Sequence, residues 1–128
     1  MANKKLVAIR CAEAPEPGGH YAQAVLHGET LYVSGQLGRT REMQGSLSVG
    51  EQVTFALSNI ERIAEMVGAG REDVVKCTVF ITGIEYWPEA NKAYAAFFGE
   101  HKPARSIVPC MELHFGAMVE IEAVMAVG

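Results

Sequence analysis

The sequence is short of cysteine, of clustered cations and of long apolar runs, and each shortage closes off a class of protein. Its three cysteines, Cys11, Cys77 and Cys110, form an odd set with no C-x-x-C pair, which argues against a disulfide framework or a cysteine-built zinc site. They read as small buried hydrophobes. His20, His27, His101 and His114 show no H-E-x-x-H or related spacing, so no metal is expected. G-x-S-x-G, G-x-x-x-x-G-K and G-x-G-x-x-G are absent, which leaves hydrolase triads and nucleotide cofactors without support. Lys and Arg number 11 against 15 Asp and Glu, a net charge of -4 with no basic cluster. Nucleic acid is therefore not an expected partner, since phosphate binding is driven by clustered Lys and Arg. No run approaches the roughly 18 apolar residues of a membrane span. Lys4 and Lys5 are not followed by a long apolar core with a cleavage site. No membrane association and a cytoplasmic location are expected.

What is present suits one globular domain over residues 1–128. A chain of 128 residues, 49% hydrophobic, buries roughly two-thirds of its unfolded surface without staples. An apolar run, Lys5 to Cys11, reads as a first strand, broken by Pro15, Pro17, Gly18 and Gly19. Gln23 to Leu26 and Thr30 to Gly35 read as a hairpin around His27-Gly28-Glu29, with Gly35 ending the second strand. Gln36 to Gly45 has no periodicity, and Arg39 and Arg41 are expected to be solvated.

From Ser48 to Gly68 the apolar residues Val53, Ala56, Leu57, Ile60, Ile63, Ala64 and Val67 recur at helical spacing. Gln52, Ser58, Asn59, Arg62 and Glu65 fall on the polar side. Ser48 with Glu51 is a capping-box pattern, and Gly68 and Gly70 mark the end. Val74 to Ile81 is a central strand by its β-branched content. Pro88 suits the first turn of a second helix that places Ala90, Tyr94 and Phe97 on one face and stops at Gly99. Ala104 to Val108 and Ala117 to Val127 supply two more strands. This order predicts an α+β domain with both helices on one face of a mixed sheet.

The last strand alternates with period two. Val119, Ile121, Ala123, Met125 and Val127 share one face, and Glu120 and Glu122 share the other with Met118, Val124 and Ala126. That second face is too apolar to stay wet, so a homo-oligomer is expected, with the two glutamates near a subunit boundary. A carboxylate between Met and Val needs water or a cation. Arg105 is the nearest cation, either as an internal ion-pair partner of Glu120 or Glu122 or, through its planar fork, as a binder of substrate carboxylate. Glu120 and Glu122 are candidates for general acid/base work if a dry cleft raises their pKa. Tyr21, Ser34 and Asn91 stand at element boundaries, where binding groups collect.

Tyr21-Ala22-Gln23-Ala24-Val25, Val33-Ser34-Gly35-Gln36, Glu51-Gln52 and Asp73 to Phe80 appear in order with Asn91-Lys92-Ala93-Tyr94, Pro103-Ala104-Arg105-Ser106 and Val119-Glu120-Ile121-Glu122-Ala123. From about residue 20 to the end this pattern resembles the Rid (YjgF-type) family of reactive intermediate deaminases. The resemblance implies a chorismate-mutase-like subunit in a homotrimer, with clefts between neighbours. It also implies hydrolysis of enamines and imines, such as 2-iminobutanoate and 2-iminopropanoate, to 2-oxo acids and ammonia without a cofactor.

By the same resemblance Arg105 grips the substrate carboxylate, Glu120 attends the water, and Tyr21, Ser34, Gly35 and Asn91 border the cleft. Ile107 stands where many active members carry Cys or Thr, and Gly19-His20 where many carry Gly-Pro, which points to a bulkier or more anionic imine. The alternative is a non-catalytic trimer that binds small carboxylates or has a chaperone-like or regulatory role. Ribonuclease activity, reported for parts of the family, is disfavoured by the charge.

Overall fold

A computed structural model describes residues 5–128; of the basic pair at the start, Lys4 lies outside the described residues. The strands are β1 (Leu6–Ile9), β2 (Ala24–His27), β3 (Thr30–Leu37), β4 (Val74–Ile81), β5 (Ala104–Pro109) and β6 (Val119–Ala126), and the helices are α1 (Val49–Glu65) and α2 (Trp87–Phe98). They form one sheet in the order β1-β2-β3-β6-β4-β5. Every neighbouring pair is antiparallel except β4 and β5. That parallel pair needs a crossover, which α2 supplies. Among the described residues no helix is long and apolar enough to cross a membrane.

Single residues decide several boundaries. Gly28 at φ 61° allows the two-residue turn between His27 and Thr30, which face each other across the hairpin. Ser48 Oγ accepts the Glu51 N–H at 3.1 Å while Glu51 takes the Ser48 N–H at 2.8 Å, a complete capping box. Helix α1 stops at Glu65, three residues short of Gly68. Gly68 adopts φ 76°, and Ala69 N–H closes onto the Ala64 carbonyl at 3.0 Å. Val53, Ala56, Leu57, Ile60, Ile63 and Ala64 of α1 are buried against Val119, Ile121, Ala123 and Met125 of β6 in one core.

Four sequence expectations are corrected. The second strand does not end at Gly35 but runs on to Leu37, because a bulge between Val33 and Gln36 absorbs the irregularity. Gln52 and Asn59, assigned to the polar side of α1, are both buried at 1% exposure. Gln52 is needed inside, where its amide oxygen accepts the Met118 N–H at 2.8 Å and its amide nitrogen donates to Leu47 O at 3.2 Å. Asn59 Oδ1 accepts from Arg62 at 2.9 Å. Arg39 is not a freely solvated side chain: it folds back to donate to Gly45 O at 2.9 Å and Met43 O at 2.7 Å, bracing its own loop. On α2, Phe98 rather than Phe97 completes the buried face with Ala90 and Tyr94. Phe97 is half-buried beneath the Arg71 guanidinium, 3.8 Å from its ring centroid.

Arg71 ties the two helices together. It donates to both Glu61 carboxylate oxygens at 2.7 and 2.8 Å and to Phe97 O at 2.8 Å. This bond with Arg71 holds Glu61 below the usual carboxylate range. A carboxyl whose folded pKa is depressed stabilises the fold above its unfolded value and loses that contribution as pH falls through the folded one. The gap in melting temperature between wild type and Glu61→Gln is therefore expected at neutral pH and to close below the ordinary value of 4.5. Melting curves at pH 7 and pH 3 with equal gaps would contradict this.

Candidate active site

The arginine half of the site lies on the helix side of the sheet. Arg105 stands opposite Cys77 in the parallel β4–β5 register, and Cys77 is opposite Ala123 of β6. Directly paired residues point to the same face, and Cys77 and Ala123 are buried in the core. Arg105 therefore projects toward α2. There Nη1 donates to Asn91 Oδ1 at 2.8 Å, and the guanidinium carbon lies 4.9 Å from the Tyr94 ring centroid and 5.7 Å from that of Trp87. Burial pushes the Cys77 thiol up to about 11 and the Tyr94 phenol higher still. Both stay neutral and so offer Arg105 no counter-charge. Among the described residues no carboxylate lies in ion-pair range of it. Ile107, two residues on, faces the same side and packs against the core.

The carboxylate half lies on the opposite face. Glu120 alternates with buried Val119 and Ile121 and pairs with Phe80 of β4 and Leu37 of β3. With Tyr21, Ser34, Gly35, His114 and Glu122 it lines a groove of about 880 Å³. Burial raises the Glu120 pKa, Glu122 raises it further, and His114 works against both. Gly35 makes room for this side chain, because a Cβ there would come within 3.0 Å of the Glu120 carboxyl carbon. Ser34 Oγ is committed to Ala22 O at 2.7 Å, and the Tyr21 hydroxyl accepts the Gly18 N–H at 3.2 Å. His20 is exposed beside Tyr21.

The segment from Cys11 to Pro15, which reaches the groove at Pro15, is held by one buried amide. Gln23 accepts the Cys11 N–H at 2.6 Å and donates to Cys11 O at 3.1 Å and Pro15 O at 2.9 Å. Gln23→Leu strands these backbone groups and is expected to lower stability by about 2–3 kcal/mol. Urea unfolding measures this, and a loss below about 0.5 kcal/mol would contradict the clamp.

One expectation fails outright. Arg105 makes no ion pair with Glu120 or Glu122 within the chain, because β4 lies between β5 and β6 and the side chains leave the sheet on opposite faces. Asn91 and Arg105 are brought together. Tyr21, Ser34, Gly35 and Glu120 are brought together elsewhere. Sequence reading missed Trp87, Tyr94 and His114 as neighbours of these groups. Tyr94, three residues after Asn91 and so on the same helix face, was the one with a usable spacing signal.

The model of the family described as endoribonuclease L-PSP matches residues 11–127. A protein of the mite Dermatophagoides farinae named 2-iminobutanoate/2-iminopropanoate deaminase is 37% identical over 99% of both chains. The chain belongs to the Rid (YjgF-type) family. Solved relatives share the fold of this Rid protein. RidA of an Antarctic Psychrobacter is 35% identical with a TM-score of 0.86, covering 94% of this chain and 99% of its own. Escherichia coli TdcF, solved with bound serine, is 31% identical with a TM-score of 0.87, covering 95% of this chain and 99% of its own. Among the described residues of this Rid protein no group of three or more His, Cys, Asp or Glu side chains is placed to hold a metal ion.

Proposed function

We propose that this Rid protein hydrolyses 2-imino acids of the 2-iminobutanoate and 2-iminopropanoate type, with their enamine tautomers, to 2-oxo acids and ammonia. The reaction takes place in clefts between subunits of a homotrimer, where Arg105 of one subunit faces the Glu120 groove of the next. One observation carries this reading. A guanidinium with no carboxylate partner among the described residues and a carboxylate with raised proton affinity sit on opposite faces of one sheet, so only a second copy could bring them together. The open face supports self-association, since Tyr32 and Val108 are 50% and 39% exposed there beside half-buried Val25, Phe80 and Val124.

In this reading Arg105, held by Asn91, takes the substrate carboxylate in a bidentate grip and fixes the C=N carbon. Glu120 removes a proton from water as the water oxygen bonds to that carbon and passes it to the imine nitrogen, which gives a carbinolamine. The same carboxylate then takes the carbinolamine hydroxyl proton and delivers it to the amino nitrogen. The C–N bond breaks as C=O forms, and ammonia leaves. No step calls for a metal or organic cofactor. The name of the mite relative and the serine bound to TdcF, a small carboxylate, support the substrate class. The family description names an endoribonuclease, but a net charge of -4 without a basic cluster gives RNA little electrostatic attraction.

The test generates 2-iminobutanoate in situ with a threonine dehydratase and follows release of 2-oxobutanoate. Acceleration over the enzyme-free rate is the expected result. No acceleration across a range of imino acids would leave carboxylate binding without turnover as the function.

A further inference from the structure

Trp87, Asn91 and Tyr94 follow one another on α2 at helical spacing, so they share a face, and that face surrounds the Arg105 guanidinium. Two of them are spent on holding the arginine. Asn91 Oδ1 accepts from Nη1 at 2.8 Å, and the Tyr94 ring, 6% exposed, has its centroid 4.9 Å from the guanidinium carbon. Trp87 is different. Its ring centroid is 5.7 Å from the same carbon, near the outer limit of a cation–π contact, and the residue stays 39% exposed. Core packing does not call for an indole here, because α2 buries Ala90, Tyr94 and Phe98 and leaves Trp87 outside that set. Its backbone is nevertheless fixed: Trp87 sits at φ -55° and ψ -48°, its N–H donates to the Ile84 carbonyl, and Pro88 follows. A large apolar ring is thus held beside a guanidinium that Asn91 engages through Nη1.

We propose that Trp87, with Ile107, forms an apolar subsite beside the Arg105 carboxylate anchor and selects 2-imino and 2-oxo acids with a branched hydrocarbon side chain over those with a second carboxylate. The inference rests on the reading of Arg105 as that anchor. In such an acid the carboxylate and the side chain branch from one carbon, so a carboxylate held by Arg105 brings the side chain to the indole. Ile107 bounds the same space. It faces the same side of β5, about 6.6 Å along the strand from Arg105, and its packing against the core fixes its place. Of Trp87, Asn91, Tyr94, Arg105 and Ile107, the arginine alone carries charge. A second carboxylate on the ligand would compete for the same guanidinium or lie unpaired against apolar surface. The cluster therefore separates the two directions that Ile107 and His20 left open in the sequence, in favour of a bulkier side chain and against a more anionic one.

Calorimetric titration with 2-oxo acids, the stable counterparts of the imines, tests the subsite without turnover. Wild type is expected to bind 4-methyl-2-oxopentanoate at least about tenfold more tightly than pyruvate, from the apolar area its extra carbons bury. It should bind 2-oxoglutarate no more tightly than pyruvate. Trp87→Ala is expected to lose most of that tenfold preference while pyruvate affinity changes less than about twofold, and Trp87→Phe to keep it. Trp87 is the single tryptophan of the chain, so its fluorescence reads the same event in the unaltered protein. Its emission should shift to the blue as 4-methyl-2-oxopentanoate displaces water from the ring, and Arg105→Ala should abolish the shift. A preference that survives Trp87→Ala, tighter binding of 2-oxoglutarate, or no binding of any 2-oxo acid overturns the subsite. A Trp87-dependent preference without imine hydrolysis upholds the subsite and removes the deaminase reading instead.

Discussion

Arg105→Ala is expected to lower kcat/KM for 2-iminobutanoate hydrolysis by about 10²–10³-fold, the loss of roughly 3–4 kcal/mol for a desolvated, bidentate guanidinium–carboxylate contact. Both kinetic constants should suffer, because the contact binds the substrate and also sets where its C=N carbon lies. Arg105→Lys is expected to recover only part of the loss. A lysine keeps the charge but cannot bond Asn91 and grip a carboxylate with one planar fork. Stability should change little in either variant: Arg105 has no carboxylate partner among the described residues, and its removal takes a cation away from buried Tyr94 and Cys77. Steady-state assays beside melting curves separate the two effects. Hydrolysis that survives Arg105→Ala at the wild-type rate would remove the arginine from the site.

Much of the fold was readable because single residues or strict periods decide it locally. Ser48 with Glu51 opens α1, Pro88 opens α2, and the alternation of β6 assigns each residue from Val119 to Ala126 to its face. The failures share a cause in non-local contacts. Ser34-Gly35 suits either a strand end or a bulge, and the choice depends on pairing with β6, some ninety residues away in sequence. Gln52 looks solvent-facing until Met118 and Leu47 arrive to use its amide.

The same limit governed the site. Arg105 and Glu120 are close in sequence and invite pairing, yet β4, from much earlier in the chain, inserts between their strands. The resemblance identified both residues, but only the register shows that they occupy opposite faces.

That arrangement makes Glu120→Gln more informative than an ordinary acid/base knockout. The amide keeps the shape but can neither take a proton from water nor return one to nitrogen, so kcat is expected to fall by about 10²–10⁴-fold with KM nearly unchanged. Near-wild-type turnover would exclude Glu120 as the proton-transfer group. Mixing then tests the cross-subunit site. When Arg105→Ala and Glu120→Gln subunits are unfolded together and refolded as one-to-one hybrids, a site has both native groups if its arginine comes from a Glu120→Gln subunit and its glutamate from an Arg105→Ala neighbour. With random assembly that is about one site in four, so roughly a quarter of wild-type activity should return from two nearly inactive parents. A site built within one chain has no such combination, and the hybrids would stay as inactive as the parents. Recovery should appear only after subunits exchange, and it should vanish when each variant is refolded alone before mixing.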